Sequence, residues 1–172
     1  MKRGLIIGLI VMAAALGVLY WRVRPQSKET AIHYHGGFVV FKGGQKVDFS
    51  GDQYMHIAPC TTKETAQTPA EIQLDKAHLH DNVGDVVHIH EPGAVWGDLF
   101  TNLKYLVEPA ASTSAYLNGV KAENITLQPI KPYYSLVLLI GAQYQPPEYY
   151  LNQAVIKDHI LKVEQTSENC GS

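Results

Sequence analysis

The stretch "HLHDNVGDVVHIH", His78 to His90, limits the possible folds of this chain more than any other segment. Two His-x-His pairs flank a short polar loop, and strand side chains alternate between faces with a period of two. If the loop holds the five residues Asp81 to Asp85, His80 stands opposite Val86, Leu79 opposite Val87 and His78 opposite His88. Leu79, Val87 and Ile89 then share one face, and His78, His80, His88 and His90 share the other. A loop with an even number of residues would mix apolar and polar side chains on both faces. A half-buried hairpin selects the clean alternation. The apolar residues therefore predict that all four imidazoles point the same way, away from the core.

The other segments suggest what surrounds this hairpin. "IHYHGGFVVFKGGQKVDF" reads as a first hairpin, with Gly43-Gly44 as a turn that accepts positive φ. Phe41 would pair with Lys46, and Phe38, Val40, Val47 and Phe49 would share a core face. If that strand runs unbroken through Gly36-Gly37, His33 and His35 lie on its opposite face. Residues 50–76 read as a long loop, with a short strand or helix near Glu71–Leu74. "GAVWGDLFTNL" spaces Val95, Leu99 and Leu103 as a short amphipathic helix. "AYLNGVKA" places Asn118-Gly119 between two short strands. "YYSLVLLIGA" is a continuous apolar run suited to a central strand. "EYYLNQAVIKDHILKV" reads as a C-terminal helix, with Leu151, Val155 and Ile156 at helical spacing. This order predicts an α+β domain, a β-grasp-like sheet wrapped on one helix, with a small β-sandwich as the alternative.

Ahead of the domain, Lys2 and Arg3 precede an uncharged run from Gly4 to Trp21, which is followed by Arg22 and Arg24. The run is just long enough to cross a bilayer core as a helix, and Tyr20 and Trp21 stand where interfacial aromatics do. Its rival is a cleaved signal peptide, but the Ala13–Ala15 run comes too early to leave a normal apolar region. The expected organisation is an anchor over 1–24, a linker over 25–31 and a His-rich α+β domain over 32–172. Positive charge at both ends orients the span weakly. The expectation adopted is a single-pass protein contacting lipid through residues 4–21, with its domain on the extracytoplasmic side. A net charge of -2 in 172 residues, without a basic cluster in the domain, does not suggest nucleic acid as a partner. Cys60 and Cys170 form no Cys-x-x-Cys pair, which disfavours a zinc ribbon, a thioredoxin-type redox centre and a c-type haem site. They either pair, which would stabilise by ~4–5 kcal/mol in the chain-entropy model, or stay as separate thiols.

The six histidines His33, His35, His78, His80, His88 and His90 are the candidate metal ligands. Opposed residues on a hairpin have Cβ atoms ~4.5–5.5 Å apart, so the imidazoles of His78, His80 and His88 can converge on one ion. Neutral imidazole with nearby carboxylates (Asp81, Asp85, Glu91) suits zinc, copper or nickel rather than magnesium or calcium. His56 is a weaker candidate, and His159 reads as structural or solvated. The order of Met55, His56 and Cys60 is unusual for a blue-copper centre. A hydrolase reading, with Glu91 or Asp85 as base beside a metal-bound water, stays open but lacks a substrate-pocket signature. Asn124 heads an N-x-T sequon. The bland alternative is a water-exposed sheet face that merely tolerates histidine.

"HLHDNVGDVVHIHEPGAVWGDLF", followed by "YLNG", "LVLLIG", a helix and a late cysteine, resembles an uncharacterised family of membrane-anchored, His-rich extracytoplasmic prokaryotic domains, sometimes seen with thioredoxin-like neighbours. The resemblance spans roughly His33 to Cys170 and implies an extracytoplasmic location. It brings no activity, cofactor or fold. The expected function is extracytoplasmic binding of copper or zinc through the histidine face. The alternative is a non-enzymatic accessory subunit that contacts other subunits of a membrane complex.

Overall fold

A computed structural model of the chain describes residues 32–56, 68–107 and 112–166, all within one compact unit, Ala31–Ser172. The expected anchor and linker, and both cysteines, lie outside the described residues. Among the described residues no helix is long and apolar enough to cross a membrane.

The architecture is α+β. Strand β1 (Tyr34–Lys42) turns through Gly43-Gly44 into the two-residue β2 (Gln45–Lys46). The turn glycines have φ of 57° and 78°, the left-handed pair that a two-residue hairpin needs. Phe41 pairs with Lys46 as expected. Helix α1 (Pro69–Lys76) starts at Thr68, whose side chain accepts from the Glu71 N–H while the Glu71 carboxylate accepts from the Thr68 N–H. This reciprocal cap, with Pro69 at the first turn, fixes where a weakly amphipathic helix begins. Strand β3 (Val86–Ile89) and helix α2 (Trp96–Asn102) follow. Strands β4 (Thr113–Leu117) and β5 (Val120–Ala122) are joined by Asn118-Gly119, again with both φ positive. Strand β6 (Ser135–Ile140) precedes helices α3 (Pro147–Leu151) and α4 (Lys157–Gln165).

The strands form one sheet in the order β2-β1-β6-β4-β5, with β3 also paired to β1. The β-sandwich alternative would need two packed sheets. β1 and β6 lie parallel at the centre and are buried on both faces, hence their continuous apolar runs. β2 pairs with the end of β1 at Phe41–Lys42, and β3 pairs antiparallel with its start, Tyr34 opposite Ile89 and His35 opposite His88. The strand is unbroken through Gly36-Gly37, so parity carries through as expected.

One face of the sheet packs Phe38, Val40, Leu79, Val87, Ile89, Leu136 and Leu138 against Trp96, Leu99 and Phe100 of α2. Each such side chain, fully buried, contributes about 1.5–3 kcal/mol of apolar transfer free energy. The opposite face is covered too. Val39, Phe41, Val137 and Leu139 pack on Tyr150 of α3, and Val86 packs on Val155 and Ile160. This corrects the picture of a half-buried sheet with a wet second face.

The C-terminal helix also differs from expectation. It is two helices, broken between Leu151 and Lys157. The break lets Val155 drop onto Gly37, where a Cβ would lie 2.5 Å from the Val155 Cβ. Ile156, at helical spacing with Leu151, turns out to solvent. The missing side chain at Gly37 is what admits the crossing segment.

Candidate metal centre

The segment His78–His80 lies along the outer edge of β3. His78 and His88 form an antiparallel bridge, each N–H donating to the other's carbonyl at 3.1 and 2.9 Å. That is the register required by the five-residue loop. Asp81 and Asn82 take positive φ, 56° each, to turn the chain, and the Val83 N–H donates to the His80 carbonyl. Outside His78–His80 runs a further segment, with Met55 bridged parallel to Leu79. Met55 and Leu79 face the core with α2, so His56 falls on the histidine side.

Four adjacent chain segments thus bring seven of the eight histidines into one continuous patch: His56, then His78 and His80, then His88 and His90, then His33 and His35. The patch is not a solvated face. His35 and His88 are 0% exposed, His78 3% and His80 5%. His33 is exposed, and His56 and His90 are half-buried, so the patch opens at that rim. The eighth histidine, His159 on α4, stands apart and pairs with Asp85 at 3.0 Å.

At the buried end two ring nitrogens approach a third. His35 Nε2 lies 2.7 Å from His88 Nδ1, and His80 Nε2 lies 2.8 Å from the same atom. An imidazole nitrogen carries one hydrogen or one lone pair, so His88 Nδ1 cannot serve two neighbours well by hydrogen bonding. The outer nitrogens of both partners face carboxylates. His80 Nδ1 donates to Asp81 Oδ2 at 2.6 Å, and His35 Nδ1 lies 3.5 Å from Glu164 Oε1. A carboxylate accepts only, so the 2.6 Å contact puts the His80 proton on Nδ1 and turns its Nε2 lone pair toward His88. Carboxylate-backed imidazole is how metal-ligating histidines are held. Glu164 is itself fixed by the Tyr133 hydroxyl, which donates to it at 3.0 Å. That hydrogen bond is the main reason the phenol is pushed above its ordinary value of 10.0.

His33 completes the group. His33, His35 and His88 each offer one ligand atom, and these atoms lie within 4.8 Å of one another. Ligands at ~2.0–2.1 Å around a tetrahedral ion stand about 3.3 Å apart. A modest spreading of the 2.7 Å contact between His35 and His88, with His33 closing in from the open side, would fit these three around one ion.

Sequence reasoning named all four of these residues among six candidates but grouped His78, His80 and His88 as the converging set. The structure brings together His33, His35 and His88, with His80 against the far side of His88. The His78 ring stands 6.1 Å from that of His88 and 6.0 Å from that of His80. Its Nδ1 donates to the Leu74 carbonyl at 3.0 Å. Burial, then the neighbouring His90, His56 and His88 rings, push the His78 imidazole well below its ordinary value of 6.5 and keep it neutral. His90 lies at the rim, its ring 4.8 Å from that of His33. His56 belongs to the patch, and the signal for it was weak because nothing in "YMHIAPC" shows that the segment runs beside His78–His80.

No protein-family profile, no curated protein and no solved structure matches this chain.

Proposed function

We propose that this chain binds a transition-metal ion, copper or zinc, through its buried histidine face, and stores it, senses it or passes it on. The observation that carries this reading is the cluster of His33, His35 and His88, whose ligand atoms lie within 4.8 Å of one another with His35 and His88 fully buried. Burying several imidazoles is costly, and a shared ion offsets that cost. An all-imidazole donor set suits both ions. In the same reading the protein is anchored by residues 4–21, with the domain on the extracytoplasmic side, as the apolar run, its aromatic end and the family resemblance suggest. We also read the fold as β-grasp-like, because the parallel central pair β1 and β6 is flanked by hairpin strands in the order β2-β1-β6-β4-β5.

The test is metal analysis of the whole chain, purified in detergent, stripped with a chelator and dialysed against zinc or copper. Stoichiometric retention is expected, with loss of ion in His35→Asn. Asparagine keeps a donor near the Nδ1 position but removes the inward nitrogen. No retained ion in the parent chain overturns the proposal. A reporter enzyme active only outside the cytoplasm, fused after Ser172, tests the location, and an inactive fusion would reverse it.

A further inference from the structure

Among the described residues, the positive-φ positions not held by glycine are Asp, Asn and Lys, with one exception: Tyr133, at φ 61°. For a bulky aromatic this is an outlier that the surrounding structure must hold in place. What holds it is His35 and the cover over His35. The Tyr133 N–H donates to the His35 carbonyl at 2.8 Å. The Tyr133 hydroxyl donates to Glu164 Oε2 at 3.0 Å. The Lys157 ammonium lies over the Tyr133 ring, 4.8 Å from its centre. Lys157 and Glu164 both belong to α4, and Glu164 Oε1 stands 3.5 Å from His35 Nδ1. Tyr133 thus grips His35 twice, once through the backbone and once through Glu164.

An imidazole that binds an ion through Nε2 keeps its one remaining proton on Nδ1. In His35 that proton faces Glu164. Loading the site therefore gives the carboxylate a donor, at a distance that a small shift of a partly exposed side chain shortens to a hydrogen bond. The carboxylate in turn orients the ring and raises the basicity of the ligating nitrogen. An ion that prefers the state with the carboxylate in place stabilises that state.

We infer that Glu164, aimed by Tyr133, is a positioning residue of the metal site, and that through it ion binding at His35 tightens the docking of α4. The inference rests on the metal-binding reading above and adds to it the element that responds to the ion. The same helix makes a second polar contact with the rest of the domain, His159 Nε2 to Asp85 Oδ1 at 3.0 Å, which does not involve the cluster. That pair is the control.

The experiment measures the zinc Kd of the whole purified chain by competition with a chromophoric chelator, and amide hydrogen exchange along α4 with and without zinc. Urea midpoints of the metal-free chains report the fold. Glu164→Gln keeps the volume and an acceptor for the Tyr133 hydroxyl but removes the charge. It should weaken zinc binding by about 10–100-fold and leave the metal-free midpoint unchanged. Tyr133→Phe keeps the ring beneath Lys157 and should weaken binding by less. His159→Ala should bind as the parent does. In the parent, zinc should slow exchange along Lys157–Gln165, and the slowing should shrink in Glu164→Gln. Should Glu164→Gln not fold, Tyr133→Phe decides on the same readouts. A Kd equal to that of the parent overturns the inference and leaves the proposed function standing. Equal weakening by His159→Ala does the same, since helix docking and not the carboxylate would then be the cause. Unchanged exchange in the zinc-loaded parent also overturns it. A parent chain that binds no zinc overturns both readings together.

Discussion

Two corners of the same sheet face are filled in opposite ways. Past Gly37, β1 and β6 present Val39, Phe41, Val137 and Leu139, which close on Tyr150 of α3. Before Gly37, β1 and its neighbours present His33, His35, His78, His80, His88 and His90. Strand type, pleat and burial are alike: Phe41 is 2% exposed and His35 0%. The apolar corner is stable on its own, because burying those side chains releases water and leaves no polar atom to satisfy. The imidazole corner gains less from burial, because its ring nitrogens must give up water. A face that the fold can fill with Val and Phe is filled with histidine at the corner where His33, His35 and His88 cluster.

The comparison breaks or sharpens through substitutions and conditions that act on one corner at a time. The largest effect expected is from Phe41→Ala, which removes a ring packed 4.9 Å from that of Tyr150. It should lower the unfolding free energy by about 3–5 kcal/mol in urea denaturation. The ion count per folded chain should stay as in the parent, and a lost ion would show that the corners are not independent. Next is the effect of the metal itself. Zinc at a hundred times its Kd should raise stability by about 2.7 kcal/mol per site. The increment should persist in Phe41→Ala and shrink in His35→Asn.

Acid should act on the metal-free imidazole corner. The unfolded chain protonates His78 near 6.5, whereas the folded chain holds it neutral to lower pH. The unfolded state therefore binds more protons in that window. Stability is fully present above pH 6.5 and is lost as pH falls from there toward the depressed folded value, with a slope of at most about 1.4 kcal/mol per pH unit for this one group. Melting curves at stepped pH should show the decline, with a shallower one in His78→Asn. An unchanged slope in that variant would remove His78 from the account. The smallest effect is expected from His159→Ala. Its pair with Asp85 is partly exposed, so the loss should stay under about 1 kcal/mol. The ion count should not change, since this histidine lies outside the patch.

How much of this could be read in advance follows from the range of each interaction. The five-residue loop and the pairing of His78 with His88 were legible because a wrong register would have turned Leu79 against Val87 and Ile89. The glycine turns at Gly43-Gly44 and Asn118-Gly119 were legible because positive φ is a local demand. The break between α3 and α4 was not, because it exists to seat Val155 over Gly37, more than a hundred residues earlier in the chain. Nor was the grouping of His88 with His33 and His35 rather than with His78. His35 and His78 both neighbour His88, on opposite sides of β3, and alternation treats the two sides alike.

The sequence by itself determined that the histidines share a face, since side-chain parity is a property of each strand and the apolar residues between them leave one consistent register. The tertiary structure alone decided which of them meet and that they are buried. Strand neighbours are chosen by pairing across the chain, and the cover over the second face comes from α3 and α4, whose docking depends on the space left at Gly37.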